Sequence, residues 1–227
     1  MNNSNPEQLT ACRLCTRLAD FLAQVRQAQP DYYAQPVPSF GDAQARLLIV
    51  GLAPGMHGAN RTGRPFTGDY AGNLLYSTLH QFGFATSGEP LDAAGKANLG
   101  LSLSDCRITN AVRCLPPQNK PEPAEVRQCN LYLADELLFL PQGAAVLALG
   151  TVAHQAVLRA LGLRAKDYVF GHGAQHMTPN GLMLYDSYHC SRYNTQTKRL
   201  NAAMFHAVFS AITGYLHSLD PENRIRS

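Results

Sequence analysis

The sequence predicts an α/β fold, a three-layer α/β/α domain built around a central, mainly parallel sheet of four strands. Two observations lead to this class. Short runs rich in Val, Leu and Ile alternate with helix-like segments, and glycine-rich, proline-rich or polar loops follow these runs. Apolar residues make up 45% of the 227 residues, which is enough for a sizeable core and excludes a disordered or fibrous chain. No linker or repeat divides the chain, so we expect a single domain over 1–227.

The individual elements follow from these runs and from helical periodicity. Strands are expected over residues 46–52, 107–112, 145–150 and 182–187. Helices are expected over residues 12–27, 70–82, 124–140, 152–161 and 197–216. Residues 171–176 are expected to form a turn, and residues 191–197 a polar loop in which Thr195 or Thr197 caps the last helix. Ligands bind at the carboxyl ends of parallel strands, so segments 51–69, 110–117 and 188–199 should converge on one edge of the sheet.

The charge balance and the apolar runs restrict the partners. Lys and Arg number 19 against 16 Asp and Glu, a formal net charge of +3 that permits an anionic partner without requiring one. No apolar run approaches the roughly 18 residues of a membrane span, and the polar start MNNSNPEQ does not have the pattern of a signal peptide. We therefore expect a soluble, cytoplasmic protein with no membrane partner.

Four of the six cysteines form two pairs that could share one ion. Cys12 and Cys15 form a CxxC motif, and Cys114 and Cys129 lie in a predicted loop and a predicted helix. A chain without an export signal keeps its thiols reduced, so metal ligation is favoured over disulfides. Four thiolates suit a tetrahedral zinc ion or a [4Fe–4S] cluster, and the spacing does not choose between them.

The segment from Gly51 to Asp69 is the most unusual stretch of the chain. Its five glycines allow a close approach of backbone to a ligand, but it matches neither a Walker A loop nor GxGxxG. It also carries an aromatic residue, Phe66, which ordinary packing would explain equally well. Asp69 is a candidate catalytic carboxylate, and capping of the next helix is the structural alternative.

Two further segments carry polar side chains at strand ends. Asn110 ends the second strand, where an amide can cap a turn or meet the edge of a base. His189 ends the fourth strand and opens the segment 191–199, whose hydroxyl, amide and guanidinium groups suit phosphate contacts. An exposed Tyr193 in this segment could stack on a base or wedge between two bases.

Three motifs carry a specific resemblance. GLAPGMHGANRTGRPFTGD, TNAVRC and SYHCSRYNTQTKRL resemble, in this order, the motifs of the uracil-DNA glycosylase superfamily, in particular family 5 (the UDGb type). The four cysteines resemble the [4Fe–4S] arrangement of families 4 and 5, which implies a structural cluster on Cys12, Cys15, Cys114 and Cys129. Family 4 members have a Glu where this chain has Leu52, which favours family 5. Family members usually have Pro where this chain has Cys190.

The resemblance implies a monofunctional DNA repair glycosylase that flips a deaminated base out of DNA and hydrolyses its N-glycosidic bond. Phe66 would stack on the base and Asn110 would bind its Watson–Crick edge. His189 would stabilise the departing base, and Asp69 the sugar cation and the attacking water. Family 5 members accept purines, so hypoxanthine and xanthine are expected substrates beside uracil. The expected base contacts along the first loop are made by Gly51, Ala53, Pro54 and Gly55.

DNA is therefore the expected partner, and a monomer is expected because a single flipped nucleotide needs only one chain. The expected phosphate and stacking contacts are Ser191, Arg192, Tyr193, Asn194, Lys198 and Arg199. Three alternatives stay open: a family 4-like enzyme restricted to uracil, a non-catalytic nucleic-acid-binding protein with a four-cysteine zinc site, and an electron-transfer protein. The non-catalytic protein leaves the loop 51–69 unexplained, and the electron-transfer protein lacks a recognisable flavin or nicotinamide loop.

Overall fold

The computed structural model describes residues 6–220, so residues 1–5 and 221–227 of the expected domain lie outside the described part. The strands are β1 (Phe40–Gly41), β2 (Leu47–Gly51), β3 (Cys106–Asn110), β4 (Ala145–Leu149), β5 (Gln175–Met177) and β6 (Met183–Ser187). The helices are α1 (Pro6–Thr10), α2 (Thr16–Ala28), α3 (Ala59–Thr62), α4 (Tyr70–Gln81), α5 (Pro123–Leu138), α6 (Thr151–Ala160), α7 (Arg192–Gln196) and α8 (Ala202–Ser218). Single 3₁₀ turns lie at Pro117–Asn119 and Ala165–Asp167.

The sheet confirms the predicted class but has six strands within residues 6–220, not four. Its order is β1-β3-β2-β4-β6-β5, in which the four predicted strands form the parallel centre. The two additional strands, β1 and β5, pair antiparallel at the edges. They were missed because β1 has only two residues and β5 has the polar sequence Gln-His-Met, so neither presents an apolar run.

The two faces of the sheet are covered by different helices, which gives the three predicted layers. Leu47 and Ile49 of β2 pack in the cluster that includes α4 and α8. Leu48 and Val50 alternate with them and pack in the cluster that includes α5 and α6. All five residues of β2 are buried, as expected for a parallel strand with a helix layer on each side.

Two local predictions are wrong around the turns, and a third is incomplete. Residues 191–197 are not a loop, because they contain the short helix α7 capped by Ser191, whose Oγ accepts from the Asn194 N–H. The last helix begins at Ala202 with Asn201 as its N-cap, not Thr195 or Thr197. Segment 171–176 includes the start of β5 as well as a turn. The helix α7 could not be predicted, because five residues are too few to show a periodic apolar face.

The first two helices pack against α5. Arg17 of α2 donates to both carboxylate oxygens of Glu125 at 2.7 Å. Leu9 and Leu18 pack with Cys129 and Tyr132 of α5. Helix α2 begins at Thr16 rather than at Cys12, because Cys15 occupies its N-cap position in an extended conformation. Within residues 6–220, none of the helices combines the length and the apolar character that crossing a bilayer requires.

Candidate active site

A cavity of about 410 Å³ lies at the carboxyl edge of the parallel strands and brings the three predicted segments together. Of the candidate residues, it is lined by Ala53, Gly55, Phe66, Asp69, Asn110, His189, Ser191 and Arg192. The other candidates, Gly51, Pro54, Tyr193, Asn194, Lys198 and Arg199, are not part of this lining. A space of this size, with aromatic and polar walls, suits a flat heterocyclic ligand.

Asn110 ends β3 inside this cavity with an unsatisfied polar atom. The residue is only 3% exposed, and its Oδ1 has no hydrogen-bond partner within residues 6–220. Buried polar atoms are nearly always paired, so the Asn110 amide, which lines the cavity, is available to hydrogen-bond a ligand that enters it.

Gly51 ends β2 behind Asn110 and Phe66. A Cβ on Gly51 would lie 2.6 Å from Cζ of Phe66 and still closer to Oδ1 of Asn110. Phe66 itself adopts a left-handed backbone conformation with φ 55°, which L residues rarely take. Gly51 therefore shapes the wall of the cavity by leaving room for its neighbours.

Asp69 both caps a helix and faces the cavity. Its Oδ1 accepts from the Gly72 N–H at 3.1 Å at the start of α4, as the structural alternative expected. Its other oxygen, Oδ2, points toward Gly58, where a Cβ would lie 2.6 Å away. Burial raises the pKa of the Asp69 carboxyl, although hydrogen bonds from the Gly72 and Ala71 N–H groups act in the opposite direction. The two roles are compatible because they use different oxygens.

His189 follows β6 and lies against the aromatic wall. Its ring stacks on Phe66 with a centroid distance of 5.8 Å and an interplanar angle of 26°. Burial lowers the pKa of His189 to about 4, so the imidazole is neutral at pH 7. Cys190, at the position where proline was expected from the family pattern, is fully buried, and its Sγ donates to the Ala71 carbonyl at 3.5 Å. This contact attaches the His189 segment to the first turn of α4, beside Asp69.

The segment 191–199 divides into internal and external side chains. Ser191 caps α7, and the Asn194 side chain donates to the His189 carbonyl at 2.8 Å, so both hold the segment together. Tyr193 is 71% exposed. The Arg192 and Arg199 guanidinium groups lie over the rings of Tyr70 and Tyr188, 5.3 and 4.5 Å from the ring centroids, and Lys198 is exposed. The external side chains form a cationic and aromatic rim beside the cavity.

Four lining residues were not singled out from the sequence: Leu52, Ala59, Ala71 and Asn119. Ala59 and Ala71 carry no chemical signal, and the signal in Leu52 concerns only the distinction between family 4 and family 5. Asn119 follows the Pro116-Pro117 turn after β3, and its position downstream of a strand end was the one available signal.

The four predicted metal-ligating cysteines share one cavity between α2, α5 and the residues after β3. Cys12, Cys15, Cys114 and Cys129 all line it, and all are free thiols. Sγ of Cys129 also accepts from the Arg113 N–H at 3.3 Å. Burial raises the pKa of Cys129 to about 11 and that of Cys114 further, and the neighbouring thiol groups act in the same direction. Within residues 6–220, no group of three or more His, Cys, Asp and Glu side chains already has an arrangement that could hold a metal ion.

At the carboxyl edge of the parallel sheet, one cavity is lined by an aromatic ring, an amide, an imidazole and a carboxylate. This arrangement suits a hydrolase that binds a flat, hydrogen-bonding group. Comparison with known families makes the class specific: the chain belongs to the uracil DNA glycosylase superfamily, which matches residues 38–213. Membership confirms the family and the enzyme class, a DNA glycosylase, that the three motifs implied.

Individual relatives agree with this assignment. The chain is 47% identical over 205 residues to the type-5 uracil-DNA glycosylase of Thermus thermophilus, covering 88% of this chain and 91% of the relative. It is 43% identical over 210 residues to the type-5 uracil-DNA glycosylase of Mycobacterium leprae, covering 89% and 90%. The type-4 uracil-DNA glycosylase of Pyrobaculum aerophilum is 33% identical over 136 residues, covering 60% and 59%. The similarity to the type-5 proteins is thus higher and longer, in agreement with Leu52 in the first motif.

Proposed function

We propose that this protein excises uracil, hypoxanthine and xanthine from DNA by hydrolysing the N-glycosidic bond of a flipped nucleotide. The observation that carries the proposal is that Asn110, whose amide oxygen has no partner within residues 6–220, lines one cavity together with Phe66, Asp69 and His189. All three bases present a ring N–H beside a carbonyl. The amide oxygen of Asn110 accepts from the N–H, and its NH₂ group donates to the carbonyl.

The other three side chains divide the chemistry between base and sugar. Phe66 offers an aromatic wall to the flat base. When the bond between C1′ and the base breaks, its electron pair leaves with the base, and neutral His189 donates an N–H to the base oxygen where negative charge develops. The ionised Asp69 stabilises the cationic sugar and orients the water that attacks C1′.

The rim formed by segment 191–199 would hold the DNA. Arg192, Lys198 and Arg199 are exposed cations for the phosphates, and Tyr193 or Arg192 fills the space that the base leaves in the duplex. Flipping costs a few kcal/mol, and least for a mispaired base. All of these residues belong to one chain, and we expect the active form to be a monomer.

Single-turnover excision on a panel of duplexes tests the proposal. With protein in excess, we expect product from duplexes containing uracil, hypoxanthine and xanthine, and none from an undamaged duplex. Product from uracil alone would favour the family 4-like alternative. Absence of product from every duplex would overturn the proposal and favour the non-catalytic DNA-binding protein. In Asn110→Ala, we expect discrimination between uracil and other bases to weaken more than affinity for undamaged DNA.

We also propose that Cys12, Cys15, Cys114 and Cys129 hold a [4Fe–4S] cluster. Support comes from their common cavity and from the backbone N–H that already donates to Sγ of Cys129, a contact typical of cluster ligands. The cluster supplies a cross-link between the N-terminal helices and α5 and takes no part in the hydrolysis.

Iron and acid-labile sulfide measurements on anaerobically purified protein test this assignment. We expect both elements in similar amounts, with loss of both in Cys15→Ser. Cys106→Ala is the control, because Cys106 is buried in the core cluster between the sheet and α4 and α8, and it should retain the iron. Zinc without sulfide would contradict the cluster.

A further inference from the structure

A second groove adjoins the candidate active site. It has a volume of about 470 Å³ and lies between residues 119–123, α5 and α6. Leu52 and Asn119 line both this groove and the active-site cavity, so the two spaces share a wall. We refer to it as the α5–α6 groove. No residue of the segment 191–199 lines it.

The rim of the α5–α6 groove is cationic. Lys120, Arg127 and Arg159 line it, and all three are exposed. Among residues 6–220, no carboxylate forms an ion pair with any of the three, and none belongs to the lining. The two carboxylates nearest along the chain, Glu122 and Glu125, are both bound by Arg17, at 3.2 and 2.7 Å.

The floor of the groove is apolar because α5 and α6 each contribute an apolar side chain to it. Val126 of α5 and Ala156 of α6 line the groove together with Leu52. Arg127 follows Val126, and Arg159 lies one helical turn after Ala156, so cations border the apolar floor on both helices. An apolar surface beside several unpaired cations suits a nucleotide, whose base is flat and whose phosphate is anionic.

The loop at the shared wall is held in an unfavourable conformation. Gln118 and Asn119 have φ values of 56°, so two consecutive residues other than glycine occupy the left-handed region. Hydrogen bonds from the Asn119 and Lys120 N–H groups to the Pro116 and Pro117 carbonyls, both 3.1 Å, hold this turn. Residues in such conformations concentrate at ligand-binding sites, and here they separate the two spaces.

We propose that the α5–α6 groove binds a nucleotide of the DNA strand beside the flipped one. Lys120, Arg127 and Arg159 contact the phosphates, and the apolar floor contacts a base face. The proposal rests on the proposed function, because it assigns the adjoining cavity to the flipped base. The strand is then held on two sides of the active site, by the segment 191–199 and by the α5–α6 groove.

Salt-dependent binding tests this assignment with two charge-matched double variants. The groove variant is Arg127→Ala with Arg159→Ala. The control is Arg164→Ala with Lys166→Ala, two exposed cations that line neither space. For an undamaged duplex, removal of one phosphate contact lowers the slope of log K against log salt by about 0.9, so we expect a slope lower by about 2 in the groove variant only. Equal slopes for the two variants would overturn the proposal.

Truncated substrates provide a second readout that a folding defect does not reproduce. We compare uracil duplexes with long flanks to duplexes in which one flank is cut back to a single nucleotide. Two shortened duplexes are made, one for each flank. One of the two should bind more weakly than the long duplex to the unmodified protein and to the control, but not to the groove variant. If all three proteins lose the same affinity, the groove does not contact DNA.

Excision measured over a range of protein concentrations separates this proposal from the proposed function. The control variant should excise uracil as the unmodified protein does, whereas the groove variant should need a higher protein concentration to reach half of its maximal single-turnover rate. If the unmodified protein excises nothing, the proposed function fails, and the two binding comparisons still decide whether the groove holds DNA.

Discussion

Asp69 uses its two carboxylate oxygens for different purposes. Oδ1 accepts from the Gly72 N–H at the start of α4, and Oδ2 lies beside Gly58 and Gly55, of which Gly55 lines the cavity. The cap fixes the orientation of the side chain, which leaves the second oxygen in a defined position for the substrate. Because burial raises the pKa of this carboxyl, its ionised form is less stable in the folded protein than in the unfolded chain.

Asp69→Asn should therefore separate activity from stability. The amide oxygen still caps α4, and the variant carries no buried charge, so we expect a free energy of unfolding at pH 7 no lower than that of the unmodified protein. Single-turnover excision should fall on the order of 100-fold or more. Asp69→Ala serves as the contrast, because it also loses the cap, at about 1 kcal/mol. A normal excision rate in Asp69→Asn would remove the catalytic assignment.

The same carboxyl should set the acid limit of activity. As the pH falls through its raised pKa, Asp69 becomes protonated and excision should decline at a higher pH than an ordinary Asp would give. The residual rate of Asp69→Asn should be flat across that window. The measurement is the single-turnover rate between neutral pH and the acid limit of stability.

His189 should titrate far below an ordinary histidine. Burial lowers its pKa to about 4, whereas in the unfolded chain the value is about 6.5. As the pH falls, the unfolded chain therefore takes up this proton before the folded protein does. The free energy of unfolding should decrease as the pH falls from about 6.5 towards 4. An NMR titration of the imidazole should give a midpoint near 4. A midpoint near 6.5 would show that His189 is solvated and charged more easily than its position indicates.

At the scale of elements, the parallel strands and the long helices could be predicted from the sequence. The apolar run over 46–52 contains β2, and the periodic segment over 70–82 contains α4. Short elements could not be predicted, because β1 and α7 gain their stability from pairing and capping rather than from a long apolar pattern. The motifs predict that Asp69 and Asn110 share one site, and both residues line the cavity. Asn119 could not be predicted, because only the folded loop places it there.

The glycine-rich loop between β2 and α4 positions Asp69 by leaving space beside it. Gly58→Ala would bring a Cβ to within 2.6 Å of Oδ2, which cannot rotate away without loss of the cap on α4. We expect excision to fall on the order of 10- to 100-fold. Gly214→Ala in α8 is the matched control: its Cβ would meet nothing within 4 Å, and the change should leave excision unaltered. Equal excision rates for Gly58→Ala and Gly214→Ala would show that the loop moves to accommodate the added Cβ without displacing Asp69.

At the scale of the whole molecule, α1 and α2 are attached through contacts with α5 and through apolar contacts with Ala34, Val112 and Leu115. The main polar contact is the pairing of Arg17 with Glu125, and the cysteine cavity lies beside it. A single ion pair with a partly exposed Arg supplies a modest share of the attachment even when it is bidentate, so we expect the apolar contacts and the proposed cluster to supply most of it.

Loss of the cluster should therefore release the N-terminal helices before the body unfolds. In Cys15→Ser, we expect faster limited proteolysis within the first 28 residues and a lower Tm, while folded protein continues to excise uracil. Protease sites can be located by mass spectrometry. Protection equal to that of the unmodified protein would contradict a role of the cysteines in attachment.

The unpaired oxygen of Asn110 has a consequence for turnover. A ligand that donates to this buried acceptor forms a hydrogen bond that no group within residues 6–220 supplies, with a net contribution on the order of 1 kcal/mol. Any flat molecule with a suitably placed N–H can form this bond, whether or not a sugar is attached. The liberated base is itself such a molecule, so it should linger after cleavage, slow later rounds without affecting the first, and raise the melting temperature when added alone.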